Sequence, residues 1–72
     1  MNPASASLPP AALDMLIRVY EKLIRLHPKS DFYFELGQFY LNRVQPARAV
    51  STWEEAVHYH YDNPYILRQL GL

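Results

Sequence analysis

The residues best able to do chemistry are concentrated in "HYHYD", where His58, His60 and Asp62 bring two imidazoles and a carboxylate close together. Both groups are ordinary zinc ligands. On a helix, residues two apart point roughly 200° away from one another, so the two histidines would converge on one ion only in extended or irregular chain. The helical reading puts His60 on a buried stripe and His58 outward, with no metal bound. His27 precedes Pro28 at a helix end, where positive charge is favoured, and is expected to contact the last carbonyls. Ser51 and Thr52 have no strand-turn or glycine elbow nearby, and no Ser-His-acid or phosphate-cradle pattern occurs. Glu54 and Glu55 read as solvated, supporting His58 at a value of ~0.2–0.5 kcal/mol rather than forming an acid–base dyad. No catalytic residue, metal or cofactor is expected, and the chain is not read as an enzyme.

Composition agrees with that reading. Seventy-two residues allow one small domain, and a core of that size typically leaves only ~3–5 kcal/mol of net stability. Seven basic and seven acidic residues give zero formal charge, so no field draws the chain towards phosphates, and nucleic acid is not an expected partner. Without cysteine there is no disulfide framework, thiol nucleophile or thiolate zinc site. "MNPASASLPP" lacks the basic start and apolar stretch of a secretory signal, and no apolar run approaches the ~18–20 residues needed to cross a bilayer. The expectation is a cytoplasmic protein with no direct membrane insertion.

The elements follow from spacing and punctuation. Residues 1–8 are small, polar and interrupted by proline, a pattern that predicts a loose tail ahead of one domain over residues 9–72. Pro9 and Pro10 suit a first helical turn. From there Leu13, Leu16, Ile17, Tyr20, Leu23 and Ile24 make one stripe, flanked by Asp14–Arg18 and Glu21–Arg25 as exposed i,i+4 pairs. Pro28 stops this helix and Ser30 offers a cap for the next. Residues 31–43 are apolar on more than one side, at Phe32, Tyr33, Phe34, Leu36, Phe39, Tyr40 and Leu41, so this helix must have neighbours on two sides. Pro46 fits the start of a third helix with the stripe Ala49, Val50, Trp53, Ala56, Val57 and His60, and Asn63-Pro64 opens a short fourth one. Although "VHYHY" alternates briefly, no segment sustains the strand period of two.

Two echoes run along the chain. Leu36-Gly37 recurs as Leu70-Gly71, and the first helix aligns with the third so that Leu16, Ile17, Tyr20 and Leu23 fall on Ala49, Val50, Trp53 and Ala56. Antiparallel helices approach to about 8–10 Å only where one offers small side chains that large ones from the other can fill. Gly37, Ala49 and Ala56 are the expected holes, and Tyr33, Tyr40 and Trp53 the plugs.

The order Tyr33, Leu36-Gly37, Tyr40, Ala49, Trp53, Ala56 resembles the signature of the tetratricopeptide repeat family. One full repeat would cover residues 30–63, flanked by the second helix of a preceding repeat and the opening of a following one. Departures are Val44 in place of the usual turn glycine, Pro46 for an aromatic, Tyr61 for the closing proline, and Leu16 and Leu23 for two alanines. The resemblance implies an all-α, antiparallel helical hairpin array of four helices, a fragment of an α-solenoid that acts as a protein–protein interaction module or adaptor. It also implies a concave groove faced by Phe34, Gln38, Leu41 and Asn42, with Arg68 from the last helix, that would take a protein or peptide partner. The alternative packs Phe34 and Leu41 against the first helix, a role for which Leu41 is equally suited. The family's two-carboxylate clamp needs lysine where Phe34 stands, which argues against acidic C-terminal tails as ligands.

The last helix carries Tyr65, Ile66, Leu67, Leu70 and Leu72, a great deal of apolar surface for a short piece, and such a patch usually marks an interface. This end face is expected to drive self-association or docking on a larger assembly. One alternative is a small accessory subunit of a multiprotein, even membrane-associated, complex; another is a piece of a longer repeat protein.

Overall fold

The computed structural model describes residues 8–72. The tail expected over residues 1–8 therefore lies outside the described residues, apart from Leu8. The described residues form an all-α structure of four helices, α1 (Pro10–Leu26), α2 (Ser30–Asn42), α3 (Pro46–His58) and α4 (Pro64–Gln69), with no strand among them. Proline opens α1, α3 and α4 in the first turn, where its missing N–H has no partner to lose and its fixed φ suits the helix.

Side-chain partners give the packing. Asp14 meets Arg43, Glu21 meets Tyr40, and Tyr20 packs edge-on against Phe32 and Phe39, so α1 and α2 run antiparallel. In the second hairpin Tyr33 reaches Glu55 and Arg48 stands over the Tyr40 ring, which makes α2 and α3 antiparallel too. With neighbours on both sides, α2 is apolar around more of its circumference than the others, as its sequence predicts.

At the centre, Gly37 lies against Trp53. A Cβ built on this glycine would fall onto the indole Nε1 and Cε2 atoms, so any other residue must push the helices apart. Trp53 Nε1–H donates to the Phe34 carbonyl at 3.3 Å, and Ala49 and Ala56 on the facing helix are 0 % exposed. The small and bulky residues therefore interlock as expected. Leu13, Ile17, Tyr33, Leu36, Tyr40 and Ile66 complete the buried set.

Helix ends and surface pairs depart from the sequence reading in three places. Ser30 does not cap α2, because the chain is still extended at Lys29 (φ −144°, ψ 145°) and Ser30 is already the first helical residue. Asp14 and Glu21 do not pair with Arg18 and Arg25. The second helix offers better partners: Arg43 Nε donates to Asp14 at 2.9 Å and the Tyr40 hydroxyl donates to Glu21 at 2.6 Å. His60 is not on a buried stripe. It leaves the helix in the left-handed conformation (φ 67°) and is exposed. "VHYHY" is helical as far as His58.

That left-handed residue belongs to a device used three times. Gln45 N–H bonds Tyr40 O at 2.8 Å across Val44 (φ 60°), Tyr61 N–H bonds Ala56 O at 2.7 Å across His60, and Leu72 N–H bonds Leu67 O at 2.9 Å across Gly71 (φ 79°). Each closes a helix with the bond from C″ back to C3 that satisfies an otherwise orphaned carbonyl. Only the third uses the residue suited to it, and Val44, β-branched and 83 % exposed, makes no packing gain in return. A left-handed residue with a Cβ costs ~1–2 kcal/mol, whereas glycine adds ~0.5–1 kcal/mol of unfolded-state entropy. Val44→Gly is therefore expected to raise the stability by up to ~1 kcal/mol, read as a higher urea midpoint with unchanged m-value; a lower midpoint would sink the strain argument.

Candidate interaction surfaces

Phe34, Gln38, Leu41 and Asn42 fall along one side of α2, away from the side that holds Tyr33, Leu36 and Tyr40. Phe34 is half-buried, stacked on Trp53 at 6.5 Å between ring centroids and tilted against Tyr65 at 5.6 Å. Arg68 stands 5.8 Å from the Tyr65 ring centroid, so Phe34, Tyr65 and Arg68 form one continuous contact between α2 and α4. Gln38 is half-buried, while Leu41, Asn42 and Arg68 are exposed. These five residues make a face rather than a pocket: neither of the two cavities described below is lined by any of them.

The end face is smaller than its sequence suggests. Ile66 does not belong to it: this side chain is 0 % exposed and joins the core with Leu36 and Trp53, because the Asn63 side chain accepts from Ile66 N–H at 2.8 Å and starts α4 with that position turned inward. Leu67 and Leu70 are half-buried, Tyr65 is exposed and Leu72 is 79 % exposed. Leu70 and Leu72 line a shallow cavity of about 280 Å³ together with Val57 and Glu54.

A second cavity, of about 330 Å³, opens on the opposite side of α2, between α1 and α3. Its floor is Tyr33, Leu36 and Tyr40, its α1 wall Glu21, Ile24 and Arg25, and its α3 wall Thr52 and Glu55. The Tyr40 hydroxyl donates to Glu21 at 2.6 Å and that of Tyr33 to Glu55 at 3.4 Å; Thr52 Oγ1 donates to the Arg48 carbonyl at 2.8 Å. In the sequence the tyrosines read as plugs, Glu21 as a partner for Arg25 and Glu55 as a support for His58. Only the register of α2 against both neighbours reveals that they share one cleft.

The phenols carry the marks of these surroundings. Burial, reinforced by the Glu21 carboxylate and opposed by Arg48, pushes Tyr40 up to about 12 from the ordinary 10.0. Burial and then Glu55 raise Tyr33, and Tyr20 is raised by its 2.6 Å bond to Glu35. The folded chain holds the Tyr40 proton more tightly than the unfolded chain does. Its stabilising effect is complete below pH 10.0 and is lost as the pH climbs through about 12. Tyrosinate absorbance should therefore show a late-titrating component coupled to alkaline unfolding, and Tyr40→Phe should remove its latest part while leaving the shares of Tyr33 and Tyr20. A variant curve identical in shape to the parent's would contradict the assignment.

His58, His60 and Asp62 do not gather. His58 packs edge-on against Tyr59, His60 is turned out by its left-handed backbone, and no group of three or more metal-ligating side chains occurs among the described residues. His27 sits at the C-cap of α1, where its backbone N–H bonds Leu23 O at 2.7 Å. No helix among the described residues is long and apolar enough to cross a membrane. No protein-family model, curated protein or solved structure matches the chain.

Proposed function

We propose that the chain is a protein–protein interaction module, built as a tetratricopeptide-like array of helical hairpins and performing no chemistry of its own. The seating of the Trp53 ring on Gly37, with Ala49 and Ala56 fully buried on the same helix as the ring, supports the repeat reading. The recognition reading rests chiefly on one observation: the Phe34–Tyr65–Arg68 contact joins α2 and α4 into a continuous aromatic and cationic face. Along it Gln38 and Asn42 present amides that can bridge an extended peptide backbone, with Leu41 as an apolar contact beside them.

A second reading, a small accessory subunit held by its end face in a larger assembly or by copies of itself, is favoured by exposed Leu72 at the Val57–Leu70 cavity and by exposed Tyr65 on the same helix as Leu67. Sedimentation across a concentration series separates the two. Association that Leu72→Ser weakens supports the end face. A monomer at every concentration removes self-association and leaves partner capture, which should then fail when Gln38, Asn42 and Arg68 are changed to alanine. Capture insensitive to that triple change would reject the α2/α4 face.

A further inference from the structure

We propose that the outer face of α1 is a docking site for an amphipathic helix of a partner protein, one whose edge carries glutamate or aspartate. The site is separate from the α2/α4 face and from the end face around Leu72, and it does not depend on either being used.

Two apolar stripes run along α1, and the fold uses one of them. Leu13 and Ile17 are buried and Tyr20 and Ile24 pack against the core, while α2 is the only helix that packs extensively on α1. Beside that stripe Ala12, Leu16, Val19, Leu23 and Leu26 recur at alternating steps of four and three along most of the helix. Such alternation is the a/d seam of one helix laid along another, and it suits a helix better than an extended peptide. The seam has no partner among the described residues: Val19 is 47 % and Leu26 62 % exposed, and Met15 next to them is 60 % exposed.

Charge gives the chemistry of the occupant. Every charged residue that α1 exposes is basic: Arg18, Lys22 and Arg25 follow one another at i, i+4 and i+7 along one border of the seam. None of the three forms an ion pair among the described residues, although Arg25 also borders the cleft towards α3. The two acids of α1 are half-buried and committed to α2, Asp14 to Arg43 at 2.9 Å and Glu21 to the Tyr40 hydroxyl at 2.6 Å. They stand on the far side of the basic row from the seam. Beyond the other border Glu35 already accepts from the Tyr20 hydroxyl at 2.6 Å. Carboxylates on the edge of an incoming helix would meet the basic row as e and g charges meet between paired helices. A bilayer surface is the poorer fit, because the exposed positions hold no aromatic anchor, Leu16 and Leu23 are half-buried, and the chain carries zero formal charge.

The test is a titration of the ¹⁵N-labelled protein with two synthetic peptides of about three heptads, each with leucine at a and d, one with glutamate and the other with lysine at e and g. The acidic peptide should shift the amides of Val19, Lys22, Leu23 and Leu26 saturably and gain helicity as it binds, and the basic peptide should not bind. Val19→Ser with Leu26→Ser, both at exposed positions, should abolish the shifts, and Arg18→Gln with Lys22→Gln should weaken binding by about tenfold. Equal binding of the two peptides, or shifts confined to the α2/α4 face, overturns the proposal. So does sedimentation of the protein with vesicles of phosphatidylcholine and phosphatidylglycerol while the acidic peptide leaves it unshifted, which would assign the seam to a membrane. A dimer that Val19→Ser with Leu26→Ser dissolves, in a protein that ignores the acidic peptide, would assign it to a second copy and overturn the proposal as well. The peptide comparison uses the unaltered chain and decides the matter even if a variant misfolds.

Discussion

Gly37→Ala is expected to destabilise the domain by about 2 kcal/mol, within the ~1–3 kcal/mol range of an overpacked core. The sign is not the one helix propensity gives. In an exposed helix interior, alanine is better than glycine by roughly 0.8–1 kcal/mol. Here the new methyl would occupy the place of the Trp53 indole, and that ring cannot yield. It is a rigid ring 2 % exposed, bonded through Nε1 to the Phe34 carbonyl and stacked on the Phe34 ring. The helices must separate, and Ala49 and Ala56 then lose the close contact their size permits. For a chain with ~3–5 kcal/mol in hand, this removes around half. The argument is checked by a double-mutant cycle in urea, followed by far-UV circular dichroism. Once Trp53→Leu has removed the ring, Gly37→Ala should be neutral or stabilising by up to ~1 kcal/mol, a coupling of ~1–3 kcal/mol. If alanine costs as much without the indole as with it, the interlock is not what holds α2 to α3.

The same contact shows how far the residues themselves disclose the structure. Small residues at Gly37, Ala49 and Ala56 facing large ones could be read in advance because steric complementarity is written in side-chain volume, and volume needs no coordinates. Proline positions disclosed the starts of α1, α3 and α4 for a similarly local reason. The polar contacts were not legible. Glu21 has Arg25 one turn away along its own helix, and nothing in the linear order says that Tyr40 will come within 2.6 Å instead. That outcome depends on the register of two hairpins, a property of their turns and of the whole core. Ile66 illustrates the limit from the other side: as one of several apolar residues in a six-residue helix it looked like exposed surface, and the Asn63 cap decided its direction. Val44 and His60 were misleading because neither advertises a left-handed backbone. The bond from C″ to C3 imposes it on whatever residue falls there.

The consequence of that cap is the other large effect. Ile66→Ala should cost ~2–5 kcal/mol at its site, as for other buried aliphatic truncations, but this loss need not be felt by the entire domain. Helices shorter than ~12–15 residues are marginal in water, and α4 has six residues. Its order derives from a few tertiary anchors: Ile66 in the core, the Asn63 cap, and Tyr65 against Phe34. Removal of the first anchor should release the segment locally while α1–α3, joined through Tyr20, Tyr40, Gly37 and Trp53, stay folded. In hydrogen exchange, amides from 64 to 70 should lose protection in the variant while those of Leu36, Tyr40 and Trp53 keep most of theirs. Tryptophan emission should move to longer wavelength as water reaches the ring pair that Tyr65 had covered. The α2/α4 face would vanish with α4, so if the proposed recognition through that face holds, partner capture should be lost by a protein still largely helical. Uniform loss of protection across all helices would instead make α4 part of one cooperative unit, and the face could not then be removed without unfolding the domain.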